Sequence, residues 1–320
     1  MSRILVTGSA DGLGRAAADT LLSAGHEVVV HARNEERAAG MQGLVDRGAG
    51  LVLGDVADRD VVRRIAAELN EAAPLDAVIH NAGVWSGPAV MPVNIIAPYL
   101  LTALLRGPRR LVYLSSGSHY QGRIFLNGID WQGDQPGSYA DSKLFLTTLA
   151  AAVARLRPGV LSNAVDPGWV PTRMGGPGAP DDLELGHRTQ AWPASSDDPQ
   201  ALTSGGYWYH QRRQQPHASV LDENFQDRLL HTLGEETGTA LGAASSSDGR
   251  HDGAGRATRP GIGQHEETRN VSHKRRLRSQ TGRRSPHGAF ALPRQPMTVL
   301  CPVGEALVGA APGGDRRGTS

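Results

Sequence analysis

Lysine is almost missing from this chain of 320 residues: of its 33 basic side chains, only Lys143 and Lys274 are lysines. Where arginine has replaced lysine nearly throughout, a retained lysine points to work that a planar guanidinium does poorly. A compact ammonium can hold a hydroxyl and shift its pKa. Cysteine is scarcer still, and the single Cys301 excludes an intrachain disulfide and a multi-cysteine metal centre. The histidines do not supply a metal site instead. His119, His187 and His210 lack ligand spacing and read as surface or lid residues, so no metal is expected. No run of about 18 apolar residues occurs, which excludes a membrane-spanning helix. The first residues enter a strand pattern directly, with no signal-peptide pattern, so a cytoplasmic location is expected.

What is present is enough for a core. Hydrophobic residues make up 39% of the chain, and its length suits one large α/β domain followed by a tail. The boundary shows in the charge. Residues 1–243 carry 20 basic and 26 acidic residues, net −6, whereas 244–320 carry 13 and 6, net +7. The later segment is rich in Gly, Arg and Ser, has no sustained period, and reads as a disordered basic tail. Its Lys274-Arg-Arg-Leu-Arg278 cluster is the kind that is usually solvated charge, so no nucleic-acid partner is expected.

Within the first 243 residues, strands and helices alternate. Arg3-Ile-Leu-Val-Thr7 suits a buried parallel strand, and the glycine loop Gly8 to Gly14 follows at once. A helix over 13–24, stopped by Gly25, leads to a second strand, His26 to Val30. Further strands are expected at 51–53, 75–80, 110–114 and 160–165, with helices at 58–72, 93–105 and 138–156. That repetition predicts an α/β fold, a doubly wound parallel sheet of six strands with helices on both faces. A glycine loop between strand and helix lets a pyrophosphate approach the positive end of that helix. Ligands in such folds lie beyond the carboxyl ends of the strands.

Tyr139 and Lys143 stand four apart on the expected 138–156 helix and so share a face. Alone, such a pair is usually a solvated helix face. In order along the chain, however, come Thr7-Gly8-x-x-x-Gly12-x-Gly14, Asn81-Ala82-Gly83, the serines 115 and 116, Tyr139-x-x-x-Lys143 and Pro167-Gly168. This series resembles the short-chain dehydrogenase/reductase family over roughly residues 3–240, with a Rossmann-type sheet. The long spacer from Ser115 to Tyr139, its Ile-Asp-Trp131 segment and Gly205-Gly-Tyr-Trp-Tyr209 resemble the retinol-dehydrogenase-like branch.

The resemblance implies an NAD(P)-dependent oxidoreductase that moves a hydride between nicotinamide and a carbonyl or alcohol. Tyr139 would be the acid/base, its phenol made easier to ionise by the Lys143 ammonium, since a free phenol at about 10 is a poor base near neutrality. Lys143 would also bond the nicotinamide ribose. Ser116, rather than Ser115, would hold the substrate oxygen, and Asn94 would hold a water that relays protons, its alternative being a helix cap. Cofactor contacts would come from Gly8, Gly12, Leu13 and Gly14, from Arg33, Asp55 and Val56, from Asn81, Ala82 and Gly83, and from Pro167, Gly168 and Thr172. No acid follows the second strand to accept a ribose 2′-hydroxyl, and Arg33 suits a 2′-phosphate, so NADP is favoured over NAD. Asp11 in the glycine loop counts the other way.

Two further expectations follow. Only ten residues separate Gly83 from Asn94, which implies that part of the helix preceding Asn94 is missing; that helix commonly joins subunits into a homodimer or homotetramer. Residues 169–220, with a Gly175-Gly-Pro-Gly-Ala-Pro180 segment and Trp169, Trp192, Tyr207 and Trp208, are expected to form a substrate lid over a small to medium apolar substrate. The rival functions are a catalytically weak or inactive NAD(P)-binding sensor, motivated by the short segment and the tail, and a sugar-nucleotide epimerase or dehydratase, which shares Tyr-x-x-x-Lys.

Overall fold

The structure is a computed structural model that describes residues 1–242. The basic segment expected from residue 244 lies outside the described residues, as do Lys274 and Cys301. In chain order the elements are β1 (Arg3–Val6), α1 (Gly12–Ser23), β2 (Glu27–Ala32), the short α2 (Glu35–Ala39) and α3 (Gln42–Val45), β3 (Gly50–Leu53), α4 (Arg59–Glu71) and β4 (Ala77–His80). A π turn at Pro92–Ile96 runs into α5 (Ala97–Leu104), and then come β5 (Arg110–Leu114), α6 (Tyr139–Leu156), β6 (Leu161–Asp166), α7 (Leu183–Ser195), β7 (Tyr207–Tyr209), β8 (Arg212–Gln214) and α8 (Glu223–Thr237).

The strands lie in the order β3-β2-β1-β4-β5-β6-β7-β8, all parallel except the last, which turns back on β7. Because helices cover both faces, the inner strands are apolar on both sides, as in Ile4-Leu5-Val6 and Val28-Val29-Val30. Two cores result. One packs α4, α5, α6 and α8 against the sheet through residues such as Ile65, Leu100, Phe145 and Leu229. The other lies on the opposite face, through Leu21, Met41, Val165 and Ala191. α4 owes its place to a periodic stripe, since Val62, Ile65, Ala66 and Leu69 are its buried residues.

Chain order reverses between β1 and β4, so their carboxyl ends open a crevice, which is where ligands sit in doubly wound sheets. Among the described residues no helix is long and apolar enough to cross a membrane.

Two expectations are corrected. The sheet has eight strands rather than six, because β7 and β8 arise from residues assigned to the lid. The lid itself is smaller than expected, since α7 packs beside α1 against the sheet. Trp192 and Trp208 meet edge to face at 5.0 Å within that core. Aromatic burial and strand pairing decide the place of these residues, and neither leaves a signature in so short a strand.

Candidate active site

The nucleotide end of the crevice is built mostly from main chain. Gly8 has φ +65°, and a Cβ there would lie 2.7 Å from Ala82 Cα, so only glycine lets the loop after β1 touch the loop after β4. Gly14 is required by its neighbour: a Cβ would run into the Asn81 amide and stand 2.6 Å from the Gly8 carbonyl. Asn81 uses that close approach, donating Nδ2 to the Thr7 and Gly8 carbonyls at 2.9 and 3.1 Å. Thr7 Oγ1 in turn accepts from the Asn81 and Ala82 amides, each at 3.0 Å. The strand ends flanking the switch point are thereby locked together.

His31, which the sequence did not single out as a site residue, completes this lock. Its Nδ1 accepts from the Gly8 amide at 3.0 Å and its Nε2 reaches the Gly54 carbonyl at 2.8 Å. Those partners fix the neutral tautomer with the proton on Nε2. Burial lowers its pKa and maintains that form. A lone histidine at the end of a valine strand was the available signal.

A cleft of about 320 Å³ follows from this arrangement, lined by Gly8, Gly12, Leu13, Gly14, Arg33, Asp55, Val56, Asn81, Ala82, Gly83 and Thr172 among others. The residues present fit a dinucleotide. Asp11 is the N-cap of α1 yet makes no side-chain bond to its first-turn amides, whereas Asp58, Ser138, Asp182 and Asp222 do cap α4, α6, α7 and α8. The amide end of α1 is thus left for a ligand anion. Asp11 instead meets Arg37 at 2.6 Å and Arg173 at 3.3 Å. With Arg33 also on the cleft wall, three guanidiniums share the cleft with two carboxylates, Asp11 and Asp55. Arg37 and Arg173 were not singled out from the sequence. Pro167 and Gly168 lie outside this cleft's lining, at the turn after β6, where the Gly168 amide bonds Asp166.

The other end of the crevice is built from side chains of α6 and the loop after β5. Lys143 is buried and donates to the Leu114 carbonyl at 2.6 Å, with its Nζ 5.4 Å from the centroid of the Tyr139 ring. Asn94 is also buried. It accepts from the Val84 amide at 2.9 Å and donates to the Val84 carbonyl and Ser142 Oγ, each at 3.0 Å. A Cβ on Gly83 would lie 3.5 Å from Asn94 Oδ1 and 3.6 Å from Lys143 Nζ, which puts both side chains against the same glycine. Asn94 is therefore no helix cap. It sits inside the Pro92–Ile96 π turn, and the short 84–93 segment folds back through its two bonds to Val84.

The two serines separate cleanly. Ser115 is buried and bonded to Thr147 Oγ1 at 2.6 Å, a structural place. Ser116 is half-buried at the start of the Gly117–Gln121 turn, where its hydroxyl accepts from the Ser118 amide at 3.2 Å. His119 anchors that turn and is fully buried, which corrects its reading as a surface or lid residue. Its Nδ1 bonds the Ser116 carbonyl at 2.8 Å, its Nε2 accepts from the His217 amide at 3.0 Å, and burial brings its pKa down to about 4.

The electrostatics also differ from expectation. Burial pushes the Tyr139 phenol up to about 12, against the pull of the Ser116 hydroxyl and with the Asp166 carboxylate adding to the rise. Burial brings Lys143 down to about 8, with Asp166 acting the other way. An ammonium that is itself poorly solvated, and engaged by a carbonyl, does not outweigh desolvation of the phenol. Trp85, also missed in the sequence, is 55% exposed and sets its ring 4.4 Å from that of Tyr139. Elsewhere, a hollow of about 450 Å³ between residues 124–127 and α8 lies apart from these groups.

This sheet order and crevice define a dinucleotide-binding α/β protein with a serine, tyrosine and lysine at the strand ends. Residues 2–103 match the family model described as short chain dehydrogenase. The short-chain dehydrogenase chyC of Penicillium rubens is 35% identical over 76% of this chain and 100% of its own. Mouse retinol dehydrogenase 14 is 32% identical over 54% of this chain and 62% of its own. A protein of Shigella flexneri 2a solved in complex with NADP superposes with a TM-score of 0.54 at 24% identity, covering 66% of this chain and 97% of that one. The chain belongs to the short-chain dehydrogenase/reductase family, with a relation to its retinol-dehydrogenase-like members. It is an NAD(P)-dependent oxidoreductase acting between CH–OH and C=O groups.

Proposed function

We propose that this enzyme reduces the carbonyl of an apolar substrate, or oxidises the matching alcohol, using NADP, with Tyr139 as the acid/base. The observation that carries the reading is the placement of Lys143 and Asn94 together against Gly83, with the centroid of the Tyr139 ring 5.4 Å from the Lys143 ammonium. A bound nicotinamide contributes the hydride; the remaining work falls to this chain. In the reductive direction Tyr139 gives its phenolic proton to the carbonyl oxygen. Its raised pKa keeps that proton in place until negative charge develops on the substrate. Ser116 donates to the same oxygen and fixes its position. Lys143 holds the ribose hydroxyls through the N–H groups not spent on Leu114, and supplies positive charge as the phenol loses its proton. Asn94 takes part in proton relay through its main chain, because its side-chain amide is committed to Val84 and Ser142.

Gly8, Gly12, Leu13 and Gly14 would offer main-chain groups to a pyrophosphate, Asp55 and Val56 would meet the adenine, Asn81, Ala82 and Gly83 would line the central strand end, and Pro167, Gly168 and Thr172 would hold the nicotinamide. Arg33, Arg37 and Arg173 outnumber the cleft's two carboxylates, Asp11 and Asp55, which supports a 2′-phosphate. Exposed Trp85, Tyr120 and Trp169 each follow a strand end that carries site residues, which suits a substrate site with aromatic walls.

Fluorescence titration with NADPH and NADH, together with steady-state turnover of a panel of aromatic ketones and quinones, tests this reading. Tyr139→Phe is expected to bind NADPH as the wild type does and to lose turnover by at least about a hundredfold. Arg33→Ala is expected to weaken NADPH about tenfold and leave NADH unchanged. Wild-type-like turnover by Tyr139→Phe would remove the proposed mechanism.

A further inference from the structure

Asp166, at the end of β6, plays no part in the roles assigned above, yet it is a carboxylate only 8% exposed in the middle of the site. Its oxygens accept from the Gly168 amide at 3.0 Å and from the Tyr207 hydroxyl at 2.9 Å, and neither donor brings positive charge. A buried carboxylate held only by neutral donors is costly unless a cation acts on it from a distance.

The sheet register supplies that cation. β5 and β6 pair Leu114 with Val165, so Asp166 stands one step beyond the strand position whose carbonyl holds Lys143. Strand alternation turns Asp166 to the same face as Ala164, which belongs to the core under α6 with Tyr113, Leu144 and Leu149. A Cβ on Gly117 would lie 3.3 Å from Asp166 Oδ2, so the carboxylate rests against the turn that begins at Ser116.

We infer that Asp166 is a positioning residue of the catalytic set, whose carboxylate, fixed by Tyr207 and Gly168, is the counter-charge that keeps buried Lys143 an ammonium and Tyr139 a phenol. The inference rests on the reading of Tyr139 and Lys143 as the proton-transfer pair. It explains why Tyr207, from a strand given no site role above, is bonded to Asp166. It also accounts for the direction in which Asp166 moves both α6 groups, upward in each case. The other ionisable groups facing Asp166 are Tyr120 after β5, Asp181 after β6, and Tyr207, Tyr209 and His210 at β7 and its turn. Of these only His210 can be a cation, whereas Asp181 opposes ionisation of Asp166.

The scarcity of lysine makes a direct test practical. Full-length protein labelled with ¹³C at lysine Cε gives two lysine signals, and Lys274→Arg identifies which is Lys143. In Asp166→Asn the Lys143 midpoint is expected to fall by on the order of one pH unit, while Asp166→Glu restores it towards the wild-type position. An unchanged midpoint in a folded Asp166→Asn protein would overturn the inference. Should that variant fail to fold, the wild type decides: coupling requires a second, acid inflection of the Lys143 signal as Asp166 takes up its proton, and a single inflection refutes it. Turnover of Tyr139→Phe is measured alongside. Activity surviving there sinks the proton-transfer reading, while an uncoupled Lys143 sinks the role of Asp166 alone.

Discussion

From β1 to β4 the crevice is made of main chain, and from β5 to β7 it is made of side chains. In the first half, glycines remove Cβ atoms so that backbone amides, the Asn81 bracket and the His31 bridge stand close together. In the second half, Ser116, Tyr139, Lys143 and Asp166 place hydroxyls and charges in an apolar interior. Binding a dinucleotide needs close approach and aligned dipoles, which are steric matters. Moving a proton needs groups whose ionisation is tuned by burial and by one another. Substitutions in the first half should therefore act through shape and in the second through chemistry.

The sharpest way to break this comparison is within the second half, at two adjacent residues. Ser116→Ala is expected to lower kcat by about 10²–10³-fold with little change in stability, as loss of a donor to a developing oxyanion does. Ser115→Ala is expected to leave kcat within a few-fold and cost about 1 kcal/mol of stability, because its hydroxyl bonds Thr147 inside the protein. Equal kinetic effects from both would show that the division between site and core is wrong. Steady-state kinetics and urea denaturation separate the outcomes.

In the first half the matching pair is Gly14 and Gly43. Gly14→Ala drives a methyl group into Asn81 and the Gly8 carbonyl, so a loss of about 3 kcal/mol and weakened NADPH binding are expected in denaturation and fluorescence titrations. Gly43 lies in α3, and a methyl group added there would meet nothing within 4 Å, so Gly43→Ala is expected to stabilise by about 0.5–1 kcal/mol.

Buried histidines give a smaller, pH-dependent contrast. His80, bonded to Thr102 and stacked on Tyr113, is brought down by burial to about 3, and His119 is brought down to about 4. Both folded values lie below the unfolded value of about 6.5, so the unfolded chain binds more protons on acidification. Stability is then full above about pH 6.5 and falls towards pH 4, by about 2 kcal/mol per histidine at pH 5. Thermal melts between pH 8 and 5 measure the sum. His119→Asn is expected to flatten the slope and also lower kcat through Ser116, whereas His80→Asn should flatten it alone.

How far the sequence could be read follows the same division. Gly8, Gly12 and Gly14 were legible because a missing Cβ is written directly in residue type, and the strand–loop–helix order gives it a place; Asn81 came from the motif series alone. Tyr139 and Lys143 share a helix face by spacing, but they were read as a site only through the ordered series of motifs around them. Arg37, Arg173 and Trp85 were not, because each enters the crevice from a loop or short helix whose path depends on what it packs against. The fate of Trp192 and Trp208 shows the same limit: aromatic content in a glycine- and proline-rich stretch looked like a lid, and burial made it core.

The sequence by itself determined the doubly wound order, the glycine loop and the tyrosine–lysine face, since these depend on local sterics and on periods of two and 3.6 residues. Only the tertiary structure decided that Ser115 is buried against Thr147 while Ser116 opens to the crevice, that Asn94 braces Val84 from a π turn, and that Asp166 is bonded to Tyr207 beside the turn that begins at Ser116. Those outcomes rest on register and desolvation, which arise where segments distant in the chain meet.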